Sequence, residues 1–265
     1  MAMPLPAIHP ALAIHANQSP DNAMLKLQAS PHDGLHALDL RHAQITPQNF
    51  RRWTPALTAE FQQRYPATAF RFHASVRLDA FKPADPQYQW FDLSKTTQRP
   101  SLAKHYWQAL GACNDALTVD GETPRPYSLH SGLRPRRASM NLLADTLGRI
   151  GEWMGCEVMV ETLYPHAKVN WWMNSWAEHE ALLDSELAYA VDLSHLNILS
   201  VTEGRRDDLV QALLRSPRCR EVHISGNDGS ADQHTGLHQV PNAWWWALLD
   251  EAHAEAIVFS EGQAA

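Results

Sequence analysis

Five short segments of this chain each end on a residue that can bind a metal ion. They span residues 70–73, 127–130, 158–161, 189–192 and 221–223, and their last residues are His73, His130, Glu161, Asp192 and His223. The segments are largely apolar, as buried strands of a parallel sheet are, and the carboxyl ends of such strands lie on one side of the sheet. The pattern therefore predicts parallel strands that bring imidazole and carboxylate groups together.

Helix-forming stretches alternate with these strands along the chain. Strands are predicted at residues 11–14, 35–40, 69–73, 127–130, 157–161, 187–192, 221–225 and 256–259, and helices at 46–65, 101–112, 139–154, 176–185, 207–215 and 241–252. The first of these helices has Thr46 as its predicted cap and Pro47 in its first turn, an arrangement typical of helix starts. Eight strands that alternate with helices predict an α/β fold, a single (β/α)8 TIM barrel over residues 1–265.

The composition fits one large α/β domain and argues against several other classes. The chain has 265 residues, of which 45% are hydrophobic, and this is ample for a buried core. Its net charge of -7 gives no general attraction to nucleic acid or to an anionic membrane. Three widely spaced cysteines form neither a zinc knuckle nor a disulfide framework. Because the chain also lacks a long apolar run and a signal-peptide pattern, a soluble protein of the reducing cytoplasm is expected.

Four further residues extend the set of candidate metal ligands. His195 follows Asp192 by three positions, Asp232 and His234 form an Asp-x-His pair after the turn-forming stretch 226–229, and Glu261 follows the last predicted strand. The turn would fold the Asp-x-His pair back over the barrel mouth. The complete set is His73, His130, Glu161, Asp192, His195, His223, Asp232, His234 and Glu261.

These nine residues predict a site with two or three metal ions. The active site of a TIM barrel lies at the carboxyl ends of its strands, where the candidates fall. Without metal ions, one mouth would hold several unpaired buried charges. A ligand set of imidazole and carboxylate without thiolate suits iron(II), zinc or manganese.

Residue type suggests how the ligands are shared between the ions. Glu161 can bridge two ions through its two carboxylate oxygens. One ion would then be held by His73 and His130, and the second by Asp192, His223 and Glu261. A third ion would have His195, Asp232 and His234 available.

The ordered ligand set resembles that of a known superfamily. The resemblance rests on the nine residues, on the sequence Asp192-Leu-Ser-His195, and on the stretch His-Ile-Ser-Gly-Asn-Asp-Gly that begins at His223. Together they are similar to the xylose isomerase-like TIM-barrel superfamily, over about residues 70–261. This superfamily includes sugar isomerases and epimerases, endonuclease IV, and multinuclear non-haem iron enzymes that modify peptides oxidatively.

Two branches of the superfamily imply isomerisation or hydrolysis. Sugar isomerases resemble this chain at Glu161, Asp192, His223 and Glu261, which suffice for one metal ion and for two carboxylates that move protons. The resemblance makes Glu161, Glu261 and Asp192 the candidate catalytic residues. Endonuclease IV uses nine equivalent residues to hold three zinc ions for phosphodiester hydrolysis. The acidic net charge of this chain is unfavourable for that activity, because phosphate contacts normally dominate the affinity for DNA.

The iron branch resembles the chain in finer detail and implies oxidative modification of a peptide or amino-acid substrate. It tends to have a glycine where this chain has Gly226, and later a Val-Pro segment and a helix with tryptophan, as at Val240 and Trp244. Two features depart from the branch, since His195 stands where asparagine is more usual and residues 38–39 lack an acidic pair. This branch implies two or three iron ions and a small peptide-binding partner protein. Zinc or manganese, and a small-molecule substrate, belong to the other branches.

Four residues are predicted to contact the substrate. Arg134 lies in a basic group after the 127–130 strand, where it could bind a phosphate or a carboxylate or lie on a solvated loop. Trp171 and Trp172 follow the 157–161 strand and can form an apolar wall or stack on a sugar ring. Asn227 belongs to the turn after the 221–225 strand.

Overall fold

Eight parallel strands form a barrel at the centre of the molecule, which is described by a computed structural model over residues 6–14, 19–47, 52–74, 76–81, 91–118 and 122–262. The barrel strands are β1 (Ile8–Ile14), β4 (His42–Pro47), β5 (Ala69–Phe72), β6 (Tyr127–His130), β7 (Val158–Glu161), β8 (Tyr189–Asp192), β9 (Cys219–Ile224) and β10 (Ile257–Ser260). Their order in the sheet is β5-β4-β1-β10-β9-β8-β7-β6. A small antiparallel hairpin, β2 (His32–Asp33) and β3 (His36–Ala37), follows β1 in the chain.

The two outer strands of this order, β5 and β6, meet and close the barrel. His73 forms a parallel bridge with Ser128, and the backbone N–H of Ala74 donates to the carbonyl of Ser128 at 2.9 Å. The (β/α)8 TIM-barrel prediction is thereby confirmed.

Helices connect the strands. Among the described residues the α-helices are α1 (Pro20–Ala29), α2 (Pro55–Arg64), α3 (Leu93–Gln98), α4 (Pro100–Asp115), α5 (Met140–Met154), α6 (Trp176–Leu183), α7 (Leu193–Glu203) and α8 (Asp207–Arg215). Helix α5 illustrates how the sequence sets helix ends, because the Ser139 hydroxyl accepts from the N–H of Leu142 at 3.2 Å and Gly155 ends the helix at a φ of 74°. No helix in the described part of the chain is long and apolar enough to span a membrane.

The second strand and the helix after it were predicted in the wrong places. Residues 35–40 contain β3 and a turn, and the second barrel strand is β4. Helix α2 starts nine residues after Thr46 and is capped by Thr54, whose hydroxyl accepts from the N–H of Leu57 at 3.1 Å. The error arose because Thr46-Pro47 and Thr54-Pro55 carry the same start signal, and Thr46 and Pro47 lie in β4.

Other elements also differ from the sequence prediction. The predicted helix at 241–252 is a 3-10 helix over Trp244–Glu251. Helix α7 was not predicted, because Asp192 ends β8 and also caps α7, so that no loop separates the two elements.

The side-chain alternation of the strands builds a layered barrel interior. Phe72 and Tyr127 point outward and contact the aromatic rings of Trp53 and Trp107, with ring centres 5.3 and 5.9 Å apart. The intervening positions point inward, since successive residues of a strand face opposite sides. Two inward layers result. The upper layer includes His73, His130, His223 and Glu261, and the lower layer includes Gln44, Arg71, Ser128 and Glu221.

Candidate metal centre

Candidate ligands from the ends of six strands, from helix α7 and from the turn after β9 converge at the mouth of the barrel. Three groups have ligand atoms that lie within 4.8 Å of one another. They are His73 with His223 and Glu261, His73 with His130 and Glu161, and Glu161 with Asp192 and His195. Because His73 and Glu161 each belong to two groups, the three groups form one continuous cluster.

Two carboxylates approach the same pair of imidazole rings. Nε2 of His73 lies 3.2 Å from Oε2 of Glu161 and 3.6 Å from Oε1 of Glu261. Nδ1 of His223 lies 3.4 Å and 3.5 Å from the same two oxygens. The four side chains therefore surround a common point, at which one ion could contact all of them.

His130 and His195 flank this centre beside Glu161. Nε2 of His130 is 3.4 Å from Oε2 of Glu161, and the His130 side chain is 46% exposed, which places it at the open edge. Nδ1 of His195 is 3.1 Å from Oε1 of Glu161 and 3.4 Å from Oδ2 of Asp192. Helix α7 positions His195, because the Asp192 carboxylate accepts from its backbone N–H at 3.0 Å.

The Asp-x-His pair lies over the mouth, as the turn after β9 was expected to place it. Gly226 and Thr235 exchange backbone hydrogen bonds of 2.7 and 2.9 Å at the base of this turn. Oδ2 of Asp232 then lies 2.8 Å from Nε2 of His234 and 3.4 Å from Nε2 of His195. All nine residues of the predicted ligand set thus lie together, and their binding of metal stays a prediction.

Several donor atoms in the cluster fit a divalent cation. Within the described part of the chain, six of its buried side-chain atoms lack a hydrogen-bond partner: both carboxylate oxygens of Glu161, Oδ2 of Asp192, Nδ1 of His223, Oδ1 of Asp232 and Oε1 of Glu261. Buried polar atoms are normally hydrogen-bonded, so a group of this size needs an explanation. Oxygen and imidazole nitrogen atoms that point to one place are suitable ligands for zinc, iron(II) or manganese.

The charged groups of the cluster strongly shift one another's pKa values. Burial raises the pKa of Glu261 to about 7, and the neighbouring Glu161 and Asp192 carboxylates act in the same direction. Burial also opposes ionisation of Glu161, but the neighbouring histidines, His130 foremost, outweigh it and hold the pKa of Glu161 well below its usual value. The two carboxylates therefore differ in their tendency to hold a proton.

The layer below the ligands was not predicted to be functional. Glu221 is fully buried, and its carboxylate accepts from Arg71 at 2.7 Å, from Ser128 at 2.7 Å and from Gln44 at 3.0 Å. Arg71 is the main cause of the low pKa of Glu221, about 2, because its positive charge outweighs the effect of burial. One sequence signal could have identified Glu221: it precedes His223 by two residues and so shares its side of the strand.

Two of the predicted substrate-binding residues have partners within the protein. The guanidinium group of Arg134 pairs with Glu178 at 2.7 Å and donates to Asn174 at 2.9 Å. The Asn227 amide accepts from Asn197 at 2.8 Å and donates to the carbonyl of Ser194 at 2.8 Å, so it holds the turn after β9 against α7. Contact of either residue with substrate stays a prediction.

An aromatic wall lies beside His195. The ring of Tyr164, which the sequence pattern did not single out, is centred 4.8 Å from that of His195 and 6.5 Å from that of His166, and the His166 ring is 6.3 Å from Trp171. Trp172 is buried, with 3% of its surface exposed. Trp171 can therefore contact a ligand more readily than Trp172, and their roles in binding stay predictions.

Comparisons with solved structures agree with the fold. The chain is similar to a D-tagatose 3-epimerase-like protein, with a TM-score of 0.60, 15% sequence identity, and coverage of 96% of this chain and 90% of the other. It is also similar to a protein from Anabaena variabilis described as a sugar phosphate isomerase/epimerase, with a TM-score of 0.54, 13% identity, and coverage of 98% and 85%. At these identities the comparisons show the fold alone, and that fold is a (β/α)8 TIM barrel. No protein-family model and no curated protein sequence matches the chain.

Proposed function

We propose that this chain is a metal-dependent isomerase or epimerase of a small sugar or hydroxy-oxo metabolite. The main support is the pair Glu161 and Glu261, which both lie within 3.6 Å of the same nitrogen of His73. The two similar structures are described as epimerase-like and as isomerase/epimerase, and this favours the same class of reaction.

Glu161 and Glu261 can divide the work of proton transfer. Epimerisation next to a carbonyl group requires removal of a proton from carbon and its return to the opposite side of that carbon. Glu161 would accept the proton and Glu261 would return one to the other side of the carbon, because both carboxylates lie beside the same ring nitrogen of His73. Two carboxylates that border one site suit this division into base and acid.

Four residues would hold a catalytic ion: His73, Glu161, His223 and Glu261. A bound divalent ion would polarise the carbonyl oxygen of the substrate and so make the neighbouring C–H more acidic. The wall formed by Tyr164 and Trp171 would limit the access of water and could contact the carbons of the substrate.

Deuterium exchange tests this function even when the product of the reaction has not been identified. Manganese-loaded protein would be incubated with a panel of ketohexoses and aldohexoses in D2O without oxygen, and each sugar analysed by mass spectrometry. We expect one sugar to gain carbon-bound deuterium. Glu261→Gln should slow the exchange by at least about 100-fold, whereas Glu255→Gln, a change at an exposed site, should not. Absence of exchange in every sugar by manganese-bound protein would rule out these substrates.

Oxidation of a peptide or amino-acid substrate by two or three iron ions is the second candidate function. One observation favours it: His130, Asp192, His195, Asp232 and His234 lie beside the four residues that a single ion would need. This function would involve a small peptide-binding partner. The same surplus of ligands would suit a zinc-dependent phosphodiester hydrolase. Iron in the purified protein and oxygen consumption would favour oxidation, whereas zinc and cleavage of abasic DNA would favour hydrolysis.

A further inference from the structure

A buried network directly below the candidate metal centre connects two of its histidines. Oε2 of Glu221 lies 2.7 Å from Oγ of Ser128 and 3.1 Å from Nε2 of His223. Oγ of Ser128 in turn lies 2.9 Å from Nδ1 of His73. One carboxylate therefore contacts His223 directly and His73 through a hydroxyl group.

The chemistry of the donors fixes the direction of each hydrogen bond between Glu221 and His73. An ionised carboxylate only accepts hydrogen bonds, and Arg71, at 2.7 Å from Oε1 of Glu221, keeps the carboxylate ionised. Ser128 has a single hydroxyl hydrogen and donates it to Glu221. Its oxygen must then accept from His73, so Nδ1 of His73 carries the hydrogen. This leaves the lone pair of Nε2 of His73 directed to Glu161, at 3.2 Å.

The same argument gives His223 the opposite tautomer. Nε2 of His223 donates to Glu221, so the lone pair lies on Nδ1, which faces Glu161 and Glu261 at 3.4 and 3.5 Å. Gln44 is also 3.1 Å from Nε2 of His223, but its amide hydrogens have acceptors in Glu221 and Ser128, at 3.0 and 3.5 Å.

We propose that Glu221 is a positioning residue that sets opposite tautomers of His73 and His223, so that each ring presents an unprotonated nitrogen to the same metal centre. The proposal deepens the proposed function and rests on it where metal binding is concerned. A carboxylate that orients a metal-binding histidine also increases the basicity of the ligand. Here a single carboxylate would do so for two ligands, His73 after β5 and His223 on β9, so its loss should weaken the binding of metal by both.

Nitrogen-15 NMR of histidine-labelled, zinc-loaded protein tests the tautomers directly. We expect zinc bound through Nε2 of His73, with a hydrogen on Nδ1, and through Nδ1 of His223, with a hydrogen on Nε2. Binding of either ring through its other nitrogen would overturn the proposal. If the protein binds neither zinc nor manganese, the proposed function fails, but the tautomers can still be observed in metal-free protein at a pH where both rings are neutral. The opposite tautomer of either ring there would overturn the proposal on its own.

Two variants test the role of the network in metal affinity. Glu221→Gln should raise the zinc dissociation constant by about 10- to 100-fold. It should also leave the rings of His73 and His223 free to adopt either tautomer. Ser128→Ala should free the tautomer of His73 and leave the tautomer of His223 unchanged. This variant provides the test if Glu221→Gln does not fold. Ser216→Ala, the same change at a buried residue outside the network, should alter neither property. Unchanged tautomers and zinc affinity in Ser128→Ala would contradict the proposal.

Discussion

Glu161 connects histidines on two sides of the candidate metal centre. It contacts His73 and His130 through Oε2 and His195 through Oε1. Glu161→Gln keeps the volume of the side chain but removes its charge, so we expect loss of bound metal and of turnover without unfolding of the barrel. Elemental analysis and circular dichroism would measure the two effects.

Glu157→Gln is the matched control for this change. Glu157 precedes β7, at the opposite end from Glu161, and pairs with Arg220 at 3.2 Å on the surface. The control should keep its metal. Full metal content in Glu161→Gln would show that Glu161 does not hold the ion.

His179 should make the stability of the protein depend on pH. Burial lowers the pKa of His179 to about 4, although Nε2 donates to the carbonyl of Met173 at 2.9 Å. Between pH 6.5 and 4 the unfolded chain binds a proton that the folded chain does not, so stability falls as the pH falls through this window. Acidification from pH 7 to 5 should cost about 2 kcal/mol through this residue.

Urea unfolding of His179→Gln at the two pH values tests this expectation. Glutamine can still donate to Met173 but does not titrate, so the loss of stability on acidification should shrink by the stated amount. His105→Gln on the exposed side of α4 is the control. Equal losses in wild type and His179→Gln would contradict the assignment.

Sequence patterns located the metal-binding candidates, but not the residues that orient them. His73 and Glu161 could be identified because histidine and glutamate at the end of an apolar segment have a known chemistry. Glu221 and Ser128 lie within a strand, where their partners come from strands far away in the sequence. Tyr164 is similar, because its proximity to His195 depends on the path of the loop after β7.

At the scale of the element, the contribution of the α2 cap to stability can be measured by mutation of Thr54. Thr54→Ala removes the acceptor for the N–H of Leu57, and should reduce the free energy of unfolding by about 1 kcal/mol. Thr54→Ser keeps the hydroxyl group and should preserve most of the stability. Urea unfolding of the two variants compares them, and equal destabilisation would show that the hydroxyl group does not cap the helix.

Element boundaries were predictable where the local signals were unambiguous. Helix α8 has the bounds 207–215 that its amphipathic pattern and the following Ser216-Pro217 indicate. Strand β4 was misplaced because residues 35–40 have an apolar character similar to that of a strand, and the choice between the two segments depends on pairing with β1 and β5. Such pairing is long-range and leaves no local signal.

At the scale of the whole molecule, the barrel brings together ligands that are far apart in the sequence. Its topology was predictable from the alternation of strands and helices, and structures at 15% and 13% identity share it. The activity was less predictable, because isomerases, hydrolases and oxidative enzymes resemble this chain through overlapping ligand sets. The two similar structures show the fold alone, so isomerisation rather than the oxidative function suggested by finer sequence details is our proposal.

Metal removal should lower the stability of the whole barrel. An ion that binds the folded chain alone stabilises it by about 2.7 kcal/mol when its concentration is 100 times its dissociation constant. Calorimetry of manganese-loaded and chelator-treated protein should therefore show a lower Tm after chelation. Glu161→Gln should show little change, and an equal fall of Tm in that variant would place the ion elsewhere.

The metal content of protein purified without oxygen tests the central claim most directly. Inductively coupled plasma mass spectrometry would give the identity of the ions and their number per chain. A metal-dependent isomerase should contain about one divalent ion such as manganese per chain, consistent with the four converging ligands His73, Glu161, His223 and Glu261. Two or three iron ions per chain would contradict the isomerase proposal in favour of oxidation, and a chain that neither contains nor takes up a divalent ion would contradict the metal centre itself.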